Sequence, residues 1–107
     1  MYEQQLEFDA KHKNKFELVF HYTNADGTGM NLWDIPIISD LKDKYRKLIQ
    51  TNRVSPIDLT NGLFMVIIDE VPLTFSGLYM DLRLQYAERD INLALIKINV
   101  KEIVTYG

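Results

Sequence analysis

Three apolar segments follow one another closely in the last third of the chain, at residues 63–68, 78–86 and 91–104. Each is rich in aliphatic side chains, and only short stretches separate it from the next, as expected of consecutive strands. This crowding predicts a chain that is all-β or nearly so. It also leaves little room for a catalytic pocket, so we expect the chain to act by binding.

The clearest strand pattern lies at residues 16–22, where apolar and polar side chains alternate with the period of two that buries one face. The pattern leads into Asp26-Gly27, a pair that permits the positive φ of a tight turn. Near the N-terminus, Leu6 and Phe8 are in phase and predict a short strand. Because this strand is terminal, we expect it at a sheet edge or paired with a neighbouring subunit.

Residues 63–68 are apolar on both faces, so a strand here needs cover on each side. One possibility is that a loop or terminal segment of the same chain provides the second cover. The other is that another subunit provides it, because small β-domains seldom leave such a strand bare. On the second possibility, the predicted contact surface comprises Leu6, Phe8, Phe64, Val66 and Ile68.

Residues 37–50 allow two interpretations. In the first, Ser39-Asp40 caps a helix that carries Leu41, Tyr45, Leu48 and Ile49 on one side. In the second, residues 37–41 end one strand, 42–44 form a charged turn and 45–50 form the next strand. The local pattern leaves both open.

Turn spacing and alternation together predict roughly six to eight short antiparallel strands in a two-sheet sandwich. A phase change after Leu95 predicts a bulge near Leu95-Ile96, or burial on both faces. With 107 residues and no linker or repeat, the chain is expected to form a single domain over 1–107.

Composition restricts the possible functions. The chain is 47% hydrophobic and 25% charged, as an ordinary soluble globular protein is. Its fifteen acidic and twelve basic residues give a net charge of -3, and the scattered basic residues argue against nucleic-acid binding. The lack of cysteine excludes disulfides and thiolate metal sites. No apolar stretch approaches the roughly 20 residues that span a bilayer, so no membrane partner is expected.

Candidate catalytic residues are few. His12 lies in a lysine-rich loop and His21 on the wet side of a strand, and surface histidines of this kind are common. Neighbouring carboxylates such as Asp69-Glu70 fall in turns, where solubility explains them. Residues 24–28 offer only a fragment of a calcium loop. We therefore expect no enzyme, no metal and no cofactor.

The single tryptophan, Trp33, also allows two interpretations. Its neighbours Leu32 and Ile35 favour a place in the core. If it were exposed instead, its ring would offer a stacking platform for a sugar.

Several segments together resemble a module of tailed-bacteriophage virion proteins. The segments are FHYTNADGTGMNLW at residues 20–33, Asn61-Gly62, SGLYMDLRL at residues 76–84 and IKINVKEIVT at residues 96–105. The module occurs in baseplate and tail-fibre-associated proteins, for example in the N-terminal domain of baseplate upper proteins. The similarity covers most of residues 15–105.

This resemblance implies an immunoglobulin-like or jelly-roll-like β-sandwich, no enzymatic activity and an adaptor or decoration role in a multimeric particle. It also favours the two-strand interpretation of residues 37–50. Two features depart from the module: the Asp43-Lys44 turn lacks the usual glycine, and the chain stops at Gly107, where longer relatives continue.

The resulting hypothesis is a virion structural protein, assembled in the host cytoplasm, that docks on other virion proteins as a homo-oligomer or within a symmetric assembly. The alternative is a carbohydrate-binding module that uses Trp33 and nearby tyrosines. An enzyme that depends on His21 or Asp69 ranks third.

Overall fold

The computed structural model describes residues 2–72, 77–86 and 89–101. These residues form strands and one 3₁₀ turn, Leu59–Asn61. In chain order the strands are β1 (Gln4–Lys11), β2 (Phe16–His21), β3 (Ile37–Ile38), β4 (Asp40–Lys42), β5 (Leu48–Thr51), β6 (Arg53–Asp58), β7 (Leu63–Ile68), β8 (Leu78–Gln85) and β9 (Asp90–Lys101).

The strands form two sheets that pack face to face. The first sheet has the order β1-β9-β8-β4-β5, with β3 also paired to β8, and the second has the order β2-β7-β6. The predicted all-β, two-sheet architecture is confirmed. Pairing is antiparallel except between β1 and β9, which run parallel. The prediction missed this parallel pair because the chain passes from β1 to β2 in the other sheet and makes no hairpin there.

The core lies between the sheets and is built from side chains that alternate along three strands. Buried in it are Phe64, Val66 and Ile68 of β7, Leu78, Met80, Leu82 and Leu84 of β8, and Ile96 and Ile98 of β9. The ring of Phe20 on β2 stacks on Phe64, with centroids 5.5 Å apart. Such a pair adds to the stabilisation that burial alone provides.

The inward face of β7 corrects part of the predicted contact surface. Phe64, Val66 and Ile68 are 0%, 1% and 0% exposed, so they pack in the core of their own chain and are not accessible to a partner. The sequence of a strand that is apolar on both faces does not reveal which face points inward. If the wrong face is chosen, the buried and the outward residues are interchanged. The outward set is Leu63, Met65 and Ile67.

One end of this outward face is covered by the chain itself. Ile67 is only 3% exposed and lies between Glu17 of β2 and Arg53 of β6, its cross-strand partners. Asp69 holds the Arg53 guanidinium at 2.7 Å, and the hydrogen bond from Arg53 lowers the pKa of Asp69. The aliphatic parts of such long charged side chains can shield an apolar neighbour.

The other end of the outward face is less well covered. Leu63 and Met65 are half-buried, and Val19, the β2 partner of Met65, is 61% exposed. Cover by the same chain therefore holds for the Ile67 end of β7, and the Leu63 end remains partly open.

Residues 40–51 form a β-hairpin, so the helix interpretation is wrong and the two-strand interpretation is confirmed with shifted bounds. β4 pairs antiparallel with β5, and the turn occupies residues 43–47. Leu41 is fully buried, whereas the other members of the proposed helix face, Tyr45, Leu48 and Ile49, are exposed. A register shift between Leu41 and Lys42 makes Ile49 an extra, bulged residue on β5.

A second bulge interrupts β9. The register of β8 and β9 shifts between Leu82 and Arg83, which leaves Leu93 as the extra residue. The phase change in the sequence predicted a bulge near Leu95-Ile96; these two residues pair regularly with Asp81 and Met80, and the bulge lies at Leu93 instead. The bulge allows the consecutive residues Leu93 and Ala94 both to be buried.

Replacement of Phe64 by alanine tests its place in the core. Phe64→Ala should lower the free energy of unfolding by about 3–5 kcal/mol, because a fully buried aromatic ring is lost and a cavity remains. Val19→Ala, at an exposed position, should change it by less than about 0.5 kcal/mol. Urea denaturation followed by circular dichroism measures both. Equal effects of the two substitutions would contradict the assignment of Phe64 to the core.

Candidate docking surfaces

The most exposed apolar cluster of the described chain lies at the end of the β4–β5 hairpin. We call residues 43–49 the hairpin tip. Within it, Tyr45 is 79% exposed, Leu48 55% and Ile49 42%. Isolated apolar residues on a surface are common, but three large exposed ones within five positions make this segment a candidate interaction site.

The turn of the hairpin tip is held by its own hydrogen bonds. The Asp43 carboxylate accepts from the backbone N–H of Tyr45 at 2.8 Å and from that of Lys47 at 2.9 Å. The Asp43 N–H donates to the Lys47 carbonyl at 3.0 Å. Arg46 adopts a φ of 64°, the left-handed conformation for which glycine is usually chosen. The tip is therefore ordered although the expected glycine is absent.

Basic side chains surround the apolar part of the hairpin tip. Lys44, Arg46 and Lys47 lie in the turn, and all three are exposed. The Lys44 ammonium lies 4.9 Å from the centre of the Tyr45 ring, within range of a cation–π interaction. Lys44 and Arg46 also border a depression of about 210 Å³ on the outer face of the first sheet, together with Tyr79 and with Tyr2, which precedes β1. The tip thus combines apolar surface with local positive charge.

A buried polar network anchors the base of the hairpin. Asp81 on β8 is 3% exposed, and its carboxylate accepts from the Asp40 N–H at 3.0 Å and from the Lys42 ammonium at 3.2 Å. The Ser39 hydroxyl donates to the Asp81 carbonyl at 2.7 Å, and the Asn52 amide donates to the Ser39 hydroxyl at 3.0 Å. Ser39 and Asn52 flank the hairpin, so both of its ends are fixed to β8.

A groove runs between the edge strands of the two sheets, β1 and β2. It consists of two depressions of about 230 and 210 Å³ that share Gln4, Phe20 and His21. The smaller one is also lined by Leu6, Phe8, Leu18 and Val19. We call this feature the β1–β2 groove.

The structure brings together the two N-terminal residues of the predicted contact surface in this groove. Leu6 is half-buried, and Phe8 is 36% exposed and meets Phe16 edge to face, with ring centroids 6.1 Å apart. β1 has β9 as its neighbour on one side and forms an end of the first sheet, as predicted for the terminal strand. Leu6 and Phe8 thus lie at a sheet edge and are partly exposed, unlike the fully buried inward residues of β7.

The Glu3 carboxylate borders the β1–β2 groove. Glu7 lies on the opposite face of β1 from Leu6 and Phe8, where its carboxylate accepts a hydrogen bond from the Asn99 amide at 2.9 Å. Glu17 on β2 pairs with Lys15 at 3.4 Å. Burial raises the pKa of the Tyr22 hydroxyl at one end of the groove, and the negative charge of Glu3 raises it further.

Trp33 lies on the surface, so the expectation of a core position is wrong. It is 67% exposed, whereas the preceding Leu32 is fully buried. The backbone N–H of Trp33 donates to the Asn31 side-chain oxygen at 3.0 Å, and Asp34 adopts a φ of 63°. This tight turn buries Leu32 and directs the next side chain outward.

The residues considered for catalysis and metal binding do not come together in one site, and two of them are bound to other side chains. His21 is exposed beside the β1–β2 groove, and Asp69 is engaged by Arg53. Asp26 accepts the hydroxyl of Thr28 at 2.6 Å and its N–H at 2.9 Å, and the side-chain hydrogen bond lowers the pKa of Asp26. Within residues 2–72, 77–86 and 89–101, no three His, Asp or Glu side chains converge to hold a metal ion.

Comparison with known proteins gives no match to a family model and none to a curated protein. In the part of the chain that the structure describes, no helix is long and apolar enough to cross a membrane. The geometry of the hairpin tip and of the β1–β2 groove is therefore the basis for a functional proposal.

Removal of the Asp81 carboxylate tests the anchor of the hairpin. Asp81→Ala leaves the Asp40 N–H and the Lys42 ammonium without this acceptor, so the hairpin should open more often. We expect hydrogen exchange at the amides of β5 to accelerate by about tenfold or more, while that of β7 changes little. Asp58→Ala, at an exposed carboxylate outside the network, is the control. Unchanged exchange in β5 would show that Asp81 does not anchor the hairpin.

Proposed function

We propose that this chain is a non-enzymatic structural subunit of a virion and that it docks on neighbouring subunits through the hairpin tip. The observation that carries the proposal is the exposure of Tyr45, Leu48 and Ile49 on a hairpin that is held in one conformation. The resemblance to tailed-bacteriophage baseplate and fibre-associated modules supports the kind of assembly.

The composition of the hairpin tip favours protein docking. Tyrosine and arginine are enriched among the residues that dominate binding energy at protein interfaces. Burial of a large apolar side chain contributes roughly 1.5–3 kcal/mol, so Tyr45, Leu48 and Ile49 together provide a substantial driving force. Because the turn is already ordered by Asp43, little conformational entropy is lost on binding.

The arrangement of the open strand edges is also consistent with a subunit of an assembly. β1 and β5 end the first sheet, and β2 and β6 end the second. Pro56 and a register shift interrupt the edge strand β6, as expected of an edge that is protected from pairing. No comparable proline occurs in β5, and its two exposed aliphatic residues stand beside the cations of the tip.

A charge at Leu48 tests the proposed function. Cells that produce the native particle are supplied with tagged wild-type chain or with Leu48→Asp, and the lysate is separated by sedimentation. We expect the wild-type chain in the particle fractions and an incorporation at least tenfold lower for Leu48→Asp, since a buried unpaired carboxylate opposes docking.

Ile57→Asp is the matched control, because Ile57 is 54% exposed and Leu48 is 55% exposed. Ile57→Asp should enter particles as the wild-type chain does. A wild-type chain found only in the light fractions would overturn the proposal, as would full incorporation of Leu48→Asp.

Carbohydrate binding is a second candidate function, and the exposure of Trp33 favours it. A ring that is 67% exposed on a fixed turn can stack on the apolar face of a sugar. If this function is present, binding on a glycan array should saturate and should be lost in Trp33→Ala, with the oligomeric state unchanged. Trp33→Phe should retain part of the binding. Absence of any glycan that binds the wild-type chain would remove this candidate.

A further inference from the structure

We propose that the depression between the hairpin tip and the start of β1 binds the phosphate group of a small phosphate monoester, such as a sugar phosphate. This depression has a volume of about 210 Å³ and lies on the outer face of the first sheet. We call it the outer depression. The proposal goes beyond the docking function, because it uses the cations of the hairpin tip and not its exposed apolar residues.

Three cationic side chains converge on the outer depression. Lys42 comes from β4, and Lys44 and Arg46 come from the turn that follows it. Tyr2, which precedes β1, and Tyr79 of β8 also line it. Ammonium, guanidinium and phenol groups are all hydrogen-bond donors. Donors that come from three separate segments of the chain can together bind the several acceptor oxygens of a phosphate group, and those from cations form the stronger bonds.

The charge of the outer depression matches a doubly negative ligand. Among the described residues that line it, three cations stand against one carboxylate, that of Asp81, which accepts from the Lys42 ammonium at 3.2 Å. Within the described residues, neither Lys44 nor Arg46 forms an ion pair. Two positive charges are therefore left, and a phosphate monoester carries about -1.5 to -2 at pH 7. A carboxylate or a sulfate ester, with a single charge, would match only one of them.

The cations of the outer depression stand on ordered backbone. Asp81 is 3% exposed and also accepts a backbone N–H of β4 at 3.0 Å, so the strand that carries Lys42 is held against β8. The Asp43 carboxylate orders the turn that carries the other two cations. Because this backbone is fixed before a ligand arrives, binding costs less conformational entropy than it would in a flexible loop.

A second depression indicates what kind of molecule carries the phosphate group. It has a volume of about 260 Å³, shares Tyr79 and Leu95 with the outer depression and is also lined by Gln5, Glu7 and Lys97. Amide, carboxylate and ammonium groups can form hydrogen bonds with hydroxyl groups. The outer depression is smaller than the roughly 300–1,000 Å³ of a site for a drug-sized ligand. It therefore holds the phosphate group, and the second depression holds the hydroxylated remainder of the molecule.

The strand register places the two depressions side by side. Tyr79 of β8 pairs with Lys42 of β4 on one side and with Lys97 of β9 on the other, and Lys97 pairs with Glu7 of β1. Paired residues point to the same face of a sheet, and neighbouring strands lie about 4.8 Å apart. These four side chains therefore form one row. Tyr79 stands between the phosphate and hydroxyl parts of the site, where its ring can pack on the apolar face of a sugar.

Removal of the two cations without an ion pair tests the proposal. The site variant, Lys44→Gln with Arg46→Gln, changes two exposed side chains, so the fold should be retained. The matched control variant, Lys13→Gln with Lys47→Gln, removes the same charge at exposed positions that line neither depression. Circular dichroism confirms that each variant is folded.

Four probes are titrated into each protein, and the amide signals are followed by NMR. The probes are inorganic phosphate, glucose, a serine-phosphorylated peptide, and glucose phosphate with the phosphate on the primary hydroxyl. We expect glucose phosphate to bind the wild-type chain saturably, to shift the signals of Lys44, Arg46 and Tyr79, and to bind more tightly than the other three probes.

The site variant should bind glucose phosphate at least about tenfold more weakly, because two charge-assisted hydrogen bonds are lost. The control variant should bind it within about twofold of the wild-type affinity, because charges remote from the ligand are screened.

Three outcomes would overturn the proposal. Absence of saturable binding by both inorganic phosphate and glucose phosphate would remove the anion site. An equal loss of affinity in the two variants would indicate general attraction by positive charge. Tighter binding of the phosphorylated peptide than of glucose phosphate would assign the site to a phosphorylated protein instead of a small molecule.

Discussion

The sandwich depends on the burial of one face of β7 between the two sheets. β7 lies at the centre of the second sheet, and its inward residues Phe64, Val66 and Ile68 meet the apolar faces of β8 and β9. Water is thereby removed from both sheets at once, and this burial is the dominant favourable contribution to folding. The outward residues of β7 rely on weaker cover from neighbouring side chains. These inward residues of β7 are buried by their own chain, so they offer no accessible surface for docking.

The hairpin tip is such a surface because a polar network separates it from the core. Ser39 and Asn52 flank the hairpin, and the Asn52 amide donates to the Ser39 hydroxyl. The Asp81 carboxylate accepts from the backbone N–H of Asp40 and from the ammonium of Lys42, both on β4. A buried carboxylate is costly unless it is paired and hydrogen-bonded, and here each requirement is met. The network fixes β4 to β8, and the separate hydrogen bonds of Asp43 order the turn, whose side chains are exposed.

The sequence predicts those parts of the fold in which one face of a strand is polar. β2 and β8 alternate clearly, and the phase change in β9 indicates a bulge, although the bulge lies at Leu93 and not near Leu95-Ile96. Prediction fails where both faces are apolar, as in β7, because the period then carries no information on which face is buried. It also fails for Trp33, whose direction is set by the backbone turn at Asp34, and for β1, whose parallel partner is remote in sequence.

The same reasoning explains which part of the candidate site could be found from sequence. Leu6 and Phe8 were accessible to prediction because a terminal strand is expected at an edge. The hairpin tip was missed because Tyr45, Leu48 and Ile49 fit a helix face equally well. Its cations were an available signal, yet the net charge of -3 concealed them by averaging.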